Sequence, residues 1–383
     1  MIIGIDGSRA FEERPTGVGL FSRGLIEAFA RENSFPKPNA VVLFVRSGQR
    51  PHDTELSLPL NWTVAEISAP ILWTQVALRR ELKRKKIDTF LVPSHALPFR
   101  SLCRTVYVFH GSEMAENKSH YPLAGRILNS ALIRMSLRQA DSVLVVSQTS
   151  ALGAARYYGA QKKKITVVYQ GIDRGNDLLP GHTTASQKED ALREFDIKKP
   201  YLLYLGSIEK RKNIRGILAG FEIFSESNKG VMLILAGAAG YGHKEFEQLI
   251  GRLGSRSFIK MIGPIGEKEK KLLIENADCL LAPSFSEGFG RTVLEGLSAA
   301  LPVVAADIPV FRELYGNLPI YANPFNAHDI AVAMAAAREE KQKGFPAWKK
   351  TKIDELLNGV YNWRNVAQKA ASVVLSQKSF DKI

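Results

Sequence analysis

The chain has 383 residues, more than one hydrophobic core usually serves, so we expect two domains. A hydrophobic fraction of 45% with 23% charged residues is ordinary for a globular protein and excludes intrinsic disorder. The longest weakly polar run, residues 230–240, is too short to span a bilayer. Two cysteines without a metal-like spacing need no disulfide framework, so we expect a protein of the reducing cytoplasm.

The formal net charge of +14 predicts an anionic partner, either nucleic acid, a phosphorylated substrate or an anionic membrane surface. The first 200 residues hold most of the surplus, with 28 basic against 19 acidic side chains. The densest basic cluster consists of Arg79, Arg80, Lys83, Arg84, Lys85 and Lys86. A solvated helix face would also explain it. No zinc-finger, RNP or basic-zipper motif accompanies the cluster, so we expect no nucleic acid partner.

In the first half, short apolar runs alternate with longer amphipathic segments, which predicts βαβ units and a parallel sheet. The predicted strands are 2–6, 41–45, 89–92, 105–109, 142–146 and 165–169. The predicted helices include 19–31, 73–86 and 124–140. This periodicity is lost over residues 171–187, as is typical of an interdomain linker.

A second alternating series begins at Tyr201, with predicted strands 201–205, 231–236, 258–262, 278–282 and 302–305. Their nearly continuous apolar character is typical of buried parallel strands. The predicted fold class is therefore α/β, with two doubly wound Rossmann-like domains that face a central cleft. We place the domains at 1–173 and 200–358, with a linker over 174–199. A helix within 359–383 follows and could cross back to the N-terminal domain.

Residues 283–295 are the most informative stretch, because they place a glycine-bearing loop between a predicted strand and a predicted helix. Gly288 and Gly290, on either side of Phe289, let the backbone approach a ligand closely. Backbone amides at the start of the helix, near Thr292 and Val293, are suited to bind a diphosphate.

Two glutamates belong to the same stretch. Glu295, about one turn inside the helix, could accept hydrogen bonds from two vicinal hydroxyls, as carboxylates do from ribose. Glu287, on the loop, could contact a sugar. Solvent-exposed glutamates beside a turn would explain such a pair alone, but the strand, glycine loop and helix around it favour a binding site.

This stretch resembles the Glu-x7-Glu motif of family-4 retaining glycosyltransferases, and residues 302–307 are also similar to theirs. Residues 204–213 resemble the first strand and loop of their C-terminal domain. Residues 14–19 resemble their glycine-bearing N-terminal loop, and 165–173 the exit from their N-terminal domain. The resemblance extends over most of the chain and implies the GT-B architecture. The most similar subgroup is the bacterial mannosyltransferase-like enzymes that build surface polysaccharides.

The resemblance also implies which cations stabilise a departing nucleoside diphosphate. Without a metal, cations and amides must neutralise the charge that collects on its phosphates. The resemblance implies that Lys212 is the main cation in this role and that Arg211 is the second. Many relatives carry arginine where this chain has Ser207, so the grip on phosphate should depend more on Lys212 and Arg211. A solvated basic loop is the alternative interpretation.

Three residues of the N-terminal half complete the predicted site. Gly17 and Gly19 could present backbone amides to the same diphosphate, and Gly19 is predicted to start a helix with its positive dipole end. His110 follows a predicted strand and so points into the cleft of an α/β sheet. It resembles the family's strand-end histidine, which contacts the donor sugar. A satisfied buried histidine is the alternative interpretation.

The resemblance thus implies a retaining hexosyltransferase, with mannose favoured, in which His110, Glu287 and Lys212 act at the reacting centre. It would transfer the sugar from a nucleotide-diphosphate donor to a saccharide or lipid-linked acceptor in surface polysaccharide or glycolipid synthesis. We expect no cofactor and no metal, since the sequence has no Asp-x-Asp triplet and no clustered ligands. We expect a cytoplasmic location, with peripheral contact to an anionic membrane. A nucleotide-sugar epimerase of the same fold and a non-catalytic polyanion-binding protein are the alternatives.

Overall fold

The chain forms two compact units. A computed structural model describes residues 1–13, 15–49, 51, 57–69, 72–94, 96–100, 103–172, 192 and 195–376. The first unit comprises Met1–Ser112, Ala124–Ile172 and Leu356–Ile383, and the second comprises Glu113–Leu123 and Asp173–Glu355. Residue 173 and most of the predicted linker 174–199 lie outside the described residues. The sequence did not indicate that residues 113–123 belong with the second unit.

The first unit is built on a seven-stranded parallel sheet with the order β3-β2-β1-β4-β5-β6-β7. Its strands are β1 (Ile2–Asp6), β2 (Ala40–Arg46), β3 (Trp62–Ile67), β4 (Thr89–Val92), β5 (Arg104–Phe109), β6 (Ser142–Val145) and β7 (Ile165–Val167). The helices along this part of the chain are α1 (Gly17–Arg31), a π-helix (Trp73–Leu78), α2 (Arg79–Arg84), α3 (Glu113–Glu116), α4 (Leu123–Gln139) and α5 (Gln148–Tyr158). Of these, α3 belongs to the second unit.

The second unit is built on a six-stranded parallel sheet with the order β10-β9-β8-β11-β12-β13. Its strands are β8 (Tyr201–Leu205), β9 (Met232–Ala236), β10 (Ile259–Gly263), β11 (Cys279–Ala282), β12 (Val303–Ala306) and β13 (Ile320–Ala322). The helices that follow β8 in the chain are α6 (Ile214–Ser227), α7 (His243–Arg252), α8 (Glu267–Asn276), α9 (Arg291–Ser298), α10 (Pro309–Tyr315), α11 (Ala327–Lys343), α12 (Ala347–Asn358) and α13 (Trp363–Leu375).

Both sheets are doubly wound, as predicted. Apart from Asp6, the central strands β1 and β8 are apolar, and both are almost fully buried, because helices cover both faces of a parallel sheet. The chain proceeds from β1 to β2 on one side and later returns to place β4 on the other, and β8 stands between β9 and β11 in the same way. In such sheets ligands bind beside the strand where the direction reverses, at the carboxyl ends. A binding site is therefore expected at the loops after β1, β4, β8 and β11.

Beyond shifts of one or two residues at element ends, one predicted helix and two strands differ from the prediction. The predicted helix 73–86 is a π-helix followed by the short α2, so its first half is wound more loosely. The strands β3 and β13 were not predicted. The edge strand β3 alternates buried with exposed residues, and β13 has three residues, so neither has the continuous apolar run used to find the other strands.

The C-terminal helix α13 belongs to the first unit, where Trp363 fills a slot lined by glycines. A Cβ atom on Gly24 would lie 2.2 Å from the Trp363 ring, and one on Gly171 would lie 2.3 Å from it. Arg104, at the start of β5, donates hydrogen bonds to the carbonyls of Val373 and Val374. The helix is therefore held at both of its ends by the first unit.

Candidate functional site

Three predicted site residues meet around one carboxylate where β8 and β11 end. Lys212 Nζ donates a hydrogen bond to Glu287 Oε1 at 2.5 Å, and Arg211 Nη1 donates to Glu287 Oε2 at 3.2 Å. Their side chains are 17%, 15% and 10% exposed for Lys212, Arg211 and Glu287. We call these three residues the charged centre. Arg211 Nη2 also donates to Glu209 Oε1 at 2.8 Å, so the group is close to electrically balanced.

The charged centre keeps Glu287 ionised. Burial opposes its ionisation, but the charges of Lys212 and Arg211 outweigh burial and lower the pKa of Glu287 to about 2. Burial lowers the pKa of Arg211, whereas Glu287 raises it, and the net pKa lies well above its usual range. A carboxylate held by two cations is a weak nucleophile. A diphosphate bound here would share the cations with Glu287.

Asn213 fixes the turn that carries these cations. The 3₁₀ turn Lys210–Lys212 ends at Asn213, whose φ of 59° lies in the left-handed region that asparagine tolerates. Its Nδ2 donates to the carbonyls of Pro283 at 3.0 Å and Pro324 at 2.7 Å, and its Oδ1 accepts from the Gly216 amide at 3.1 Å. This residue stood in the motif that resembles the family, but the sequence assigned it no role. The structure shows that it ties the cationic turn to the end of β11.

Glu295 lies in α9 with 3% of its side chain exposed. Its Oε1 accepts hydrogen bonds from Lys270 Nζ at 3.1 Å and from Arg291 Nε at 3.0 Å. Burial raises the pKa of Glu295, but the charges of Lys270 and Arg291 outweigh burial and lower it. The predicted ribose ligand is thus an ionised carboxylate, and ribose hydroxyls would share it with two cations. Lys270, from α8, was not predicted as part of the site.

The glycine-bearing loop before α9 is held in one shape. Gly290 is the N-cap of α9 with a φ of 79°, and a Cβ atom there would lie 2.2 Å from the Phe311 ring. The positive φ and the lack of space for a Cβ atom both require glycine at position 290. The Tyr315 hydroxyl lies 3.1 Å from the carbonyl oxygen of Phe289 and 3.0 Å from that of Gly290. Gly288 is buried in the same loop.

The start of α9 offers fewer amides than the sequence suggested. The Val293 amide donates to the Gly290 carbonyl at 2.9 Å, so it already has a partner. In the described chain, no side chain caps this helix. The Thr292 amide, also at this helix start, stays the predicted ligand for an anion.

Ser207 lies at the carboxyl edge of the second sheet, directly after β8. It follows Gly206, and a Cβ atom on Gly237 would lie 1.8 Å from the Gly206 carbonyl oxygen. The loops after β8 and β9 therefore touch through glycine. The Tyr204 hydroxyl donates to the Ser207 carbonyl at 2.7 Å, which fixes the backbone next to the predicted phosphate ligand.

Residues 113–123 contact the loop that leads into Glu287 of the charged centre, and no sequence pattern predicted these contacts. Asn117 Nδ2 donates to Ser286 Oγ at 2.7 Å, one residue before the carboxylate of the centre. The His120 ring packs on the Phe285 ring at 4.9 Å between centroids. These contacts join residues far apart in sequence, so no local pattern marks them.

His110 follows β5 in the first unit. Its Nε2 lies 2.6 Å from the Pro93 carbonyl oxygen, which can only accept, so Nε2 carries the proton and donates. Burial lowers the pKa of His110 to about 4 against the opposing effect of that bond, so the ring is neutral near pH 7. The Phe21 ring packs edge-on at 5.1 Å. Within the described residues Nδ1 is buried without a hydrogen-bond partner, which makes it an acceptor for a ligand hydroxyl.

Two further buried polar groups follow neighbouring strands of the same sheet. Asp6, fully buried at the end of β1, accepts at Oδ1 from the Ser8 amide at 2.9 Å, and burial raises its pKa to about 6. Asp6 Oδ2 and Ser94 Oγ have no hydrogen-bond partner among the residues that the structure describes. Since β1, β4 and β5 are adjacent, Asp6, Ser94 and His110 share one edge. Buried polar groups normally have partners, and a ligand rich in hydroxyls would supply them.

The two predicted glycines at the start of α1 differ in what they can do. The helix begins at Gly17, two residues earlier than predicted, and Gly17 is exposed. Thr16 Oγ1 accepts from the Gly19 amide at 3.4 Å, so this amide has a partner. A Cβ atom on Gly19 would lie 2.7 Å from the Arg9 carbonyl oxygen. The lack of space for a side chain explains why residue 19 is glycine. The amide of Gly17 is the one that could still bind the diphosphate as predicted.

The described part of the chain lacks two features. It contains no group of three or more His, Cys, Asp or Glu side chains that could hold a metal ion. It also contains no helix with the length and apolar character needed to cross a membrane. Metal independence stays a prediction.

Comparisons with known proteins settle the family. The family model "Glycosyltransferase Family 4" matches residues 16–175, and the model "Glycosyl transferases group 1" matches residues 186–344. The chain belongs to the family-4 glycosyltransferases. This confirms the resemblance drawn from the Glu-x7-Glu stretch.

Among relatives of this family-4 glycosyltransferase are two named for mannose transfer. It is 28% identical over 193 residues to the O-antigen chain mannosyltransferase RfbU of Salmonella typhimurium, which covers 50% of each chain. It is 28% identical over 234 residues to the O-antigen chain mannosyltransferase B of Escherichia coli, which covers 61% of this chain and 60% of that one. The chain thus spans about half to three fifths of the length of these curated relatives.

Solved structures show the same fold. The Anabaena protein Alr3699/HepE, in complex with UDP and glucose, has a TM-score of 0.73 at 18% identity, covering 97% of this chain and 98% of that one. Sucrose-phosphate synthase from Thermosynechococcus elongatus has a TM-score of 0.74 at 15% identity, covering 97% and 98%. The predicted GT-B fold of two Rossmann-like domains is confirmed.

Proposed function

We propose that this family-4 glycosyltransferase moves a hexose, with mannose favoured, from a nucleotide-diphosphate sugar to a hydroxyl of a saccharide or lipid-linked acceptor. The observation that carries the proposal is the charged centre, with two cations and one carboxylate at the carboxyl edge of the second sheet. The names of the O-antigen relatives support mannose and surface polysaccharide synthesis. The UDP and glucose in the Anabaena complex support a nucleoside diphosphate donor.

The second unit would bind the donor. Lys212 and Arg211 would face the diphosphate, where charge accumulates as the sugar departs, and interactions that strengthen in the transition state accelerate the reaction. The Ser207 hydroxyl and the amide of Thr292 would add neutral hydrogen bonds. Glu295 would hold the ribose hydroxyls. No cofactor takes part in this scheme, and the nucleotide sugar is the substrate.

We propose retention of anomeric configuration through front-face attack. Glu287 is a weak nucleophile, because two cations hold it ionised with a pKa of about 2. In this mechanism the bond from the anomeric carbon to the diphosphate oxygen breaks while the acceptor oxygen approaches the same face. The departing phosphate oxygen takes the acceptor's proton. Glu287 would position a sugar hydroxyl and balance the charge of Lys212 and Arg211.

The carboxyl edge of the first sheet supports recognition of hydroxyls. His110 Nδ1, Asp6 Oδ2 and Ser94 Oγ are buried there, and no described residue satisfies them. A neutral His110 would accept a hydrogen bond from a sugar hydroxyl at Nδ1. Asp6 and Ser94 would bind hydroxyls of the same or a neighbouring sugar.

We propose a cytoplasmic location at the inner face of an anionic membrane, where a lipid-linked acceptor would be presented. Cys103 and Cys279 form no disulfide bond in the described part of the chain, which suits a reducing compartment. Arg79, Arg80 and Lys83 of the basic cluster are exposed.

A panel of nucleotide sugars tests the function directly. The protein is incubated with UDP-, GDP- and other nucleotide hexoses, and release of nucleoside diphosphate is followed with and without saccharide acceptors. The proposal predicts acceptor-dependent release with one donor and a product whose anomeric proton shows retention by NMR. Acceptor-independent release with formation of an epimerised sugar would indicate the epimerase instead. Binding of polyanions without any turnover would contradict transfer.

A further inference from the structure

Large apolar side chains of the first unit are exposed on two helices and the loop between them. They are Leu72 (61% exposed), Val76 (58%), Phe99 (60%), Ile127 (61%) and Leu128 (61%). Helices on a protein surface normally turn polar residues to solvent. A group of exposed apolar side chains indicates a partner or a membrane.

Sheet topology places these side chains on one layer. The π-helix with α2 connects β3 to β4, and α4 connects β5 to β6, so both connections cross the sheet in the same direction. Right-handed crossovers in the same direction lie on the same face of a sheet. The intervening loop is held from both sides, since the Phe99 amide donates to Gln75 Oε1 at 2.7 Å and Gln139 Nε2 donates to the Pro98 carbonyl at 2.9 Å.

The exposed stripe of α4 continues from apolar residues to arginines. Ile127, Ala131, Arg134 and Arg138 are all exposed and follow one another at helical spacing, so they lie along one side. Leu137 lies on the buried side of the same helix. The 17 residues of α4 include three arginines and no acidic residue. The solvent side of α4 is thus apolar and positively charged. A helix that faces only solvent would usually carry both acidic and basic side chains.

The π-helix and α2 repeat this combination. Leu72 and Val76 are followed at helical spacing by the exposed cations Arg79, Arg80 and Lys83. The single carboxylate in this stretch, Glu81, pairs with Arg84 at 2.7 Å. Two independent helices of one layer therefore join exposed apolar side chains to an excess of cations.

We propose that this surface, the docking face, binds an anionic lipid bilayer. The docking face consists of Leu72, Val76, Phe99, Ile127 and Leu128 with the cations of α2 and α4. Positive charge beside apolar side chains is complementary to an anionic headgroup layer over acyl chains, the arrangement found in helices that lie in a membrane interface. The positive charge of the docking face makes binding of a basic partner unfavourable. The inference rests on the proposed function, because an enzyme with a lipid-linked acceptor works at a membrane surface. Beyond attraction between opposite charges, it proposes that apolar side chains of the docking face insert into the bilayer.

Vesicle flotation tests the docking face. The full chain is mixed with vesicles of phosphatidylcholine alone or with added phosphatidylglycerol, at low and high salt. We expect binding to the anionic vesicles that salt weakens. The variant I127D/L128D keeps every cation of the face, and V76D alters the other helix. We expect each to lose binding by at least about tenfold, because the apolar side chains no longer enter the interface.

The matched control is V332D, since Val332 is similarly exposed at 55% on α11 of the second unit. It should bind vesicles as the natural protein does. Circular dichroism confirms that each variant is folded. The proposal is overturned if the natural protein ignores anionic vesicles, or if I127D/L128D and V76D bind them unchanged. Loss of a dimer in I127D/L128D, without vesicle binding by the natural protein, would reassign the face to contact between copies.

An assay of sugar transfer to a soluble saccharide acceptor tests the proposed function without a membrane, and so distinguishes it from the docking proposal. Normal transfer in I127D/L128D, with vesicle binding lost, supports docking as a property distinct from the chemistry. Absence of transfer in the natural protein, with vesicle binding intact, would contradict the proposed function and leave the docking face standing.

Discussion

Lys212 Nζ lies 2.5 Å from Glu287 Oε1, and both side chains are largely buried. The sequence placed these residues in separate motifs with separate roles, the cation on the diphosphate and the carboxylate on the sugar. The structure joins them, with Arg211 on the second carboxylate oxygen at 3.2 Å. A buried cation is costly unless it is paired, so Glu287 stabilises the cations that a diphosphate would use. Binding of a diphosphate donor would therefore be coupled to the position of Glu287.

Glu295→Gln should weaken binding of the nucleoside diphosphate by about 1–3 kcal/mol, the scale of hydrogen bonds to a charged group. The control is Glu267→Gln, because Glu267 pairs with the same Lys270 at 2.7 Å but is 58% exposed. Isothermal titration with UDP and GDP measures both variants. Thermal unfolding reports separately on the loss of counter-charge for Lys270 and Arg291. Equal donor affinity in folded Glu295→Gln and the natural protein would remove the ribose assignment.

His110 should make stability depend on pH. Its pKa is about 4 in the folded protein, against 6.5 for an ordinary histidine, because burial disfavours its charged form. Between these values the unfolded chain binds a proton that the folded protein does not. Stability should therefore fall as pH is lowered from 6.5 towards 4, by about 1.4 kcal/mol for each pH unit.

Urea unfolding of the natural protein and His110→Gln over this pH range measures the effect, since glutamine does not titrate. The free energy of unfolding of the natural protein should fall more steeply than that of the variant. Parallel pH dependences in the two proteins would show that His110 is protonated in the folded state.

Turnover should survive exhaustive treatment with EDTA. The sequence has no Asp-x-Asp triplet, and two cations of the charged centre would stabilise the leaving diphosphate. The assay is acceptor-dependent diphosphate release before and after chelation. Loss of activity that Mg²⁺ or Mn²⁺ restores would contradict metal independence.

The sequence predicted the sheets better than their edges. The bounds of β1, β4 and β8 agree with the prediction, because fully buried parallel strands are continuous apolar runs. The edge strand β3 alternates in burial, and β13 is shorter than a typical strand, so neither gives that signal. The π-helix depends on a wider turn that periodicity does not reveal.

The candidate site was predicted as a set of motifs, whereas its pairings required the structure. Glycine loops and strand ends marked Glu287, Glu295 and Lys212, since these have local sequence signals. The contact of Lys270 with Glu295 and that of Asn117 with Ser286 join residues from separate elements. Asp6 was predicted as the end of a strand, and its burial without a partner for Oδ2 among the described residues became visible in the fold.

Lys212→Ala tests the central claim, that the charged centre stabilises the departing diphosphate. The control is Lys210→Ala, because Lys210 lies in the same turn but pairs with Glu245 at 2.7 Å. Steady-state kinetics and donor titration are measured on both folded variants. We expect Lys212→Ala to lower kcat by roughly 10²–10³, with a smaller loss of donor affinity and little change for Lys210→Ala. A raised KM with intact kcat would show that Lys212 only binds the donor, and would contradict the account.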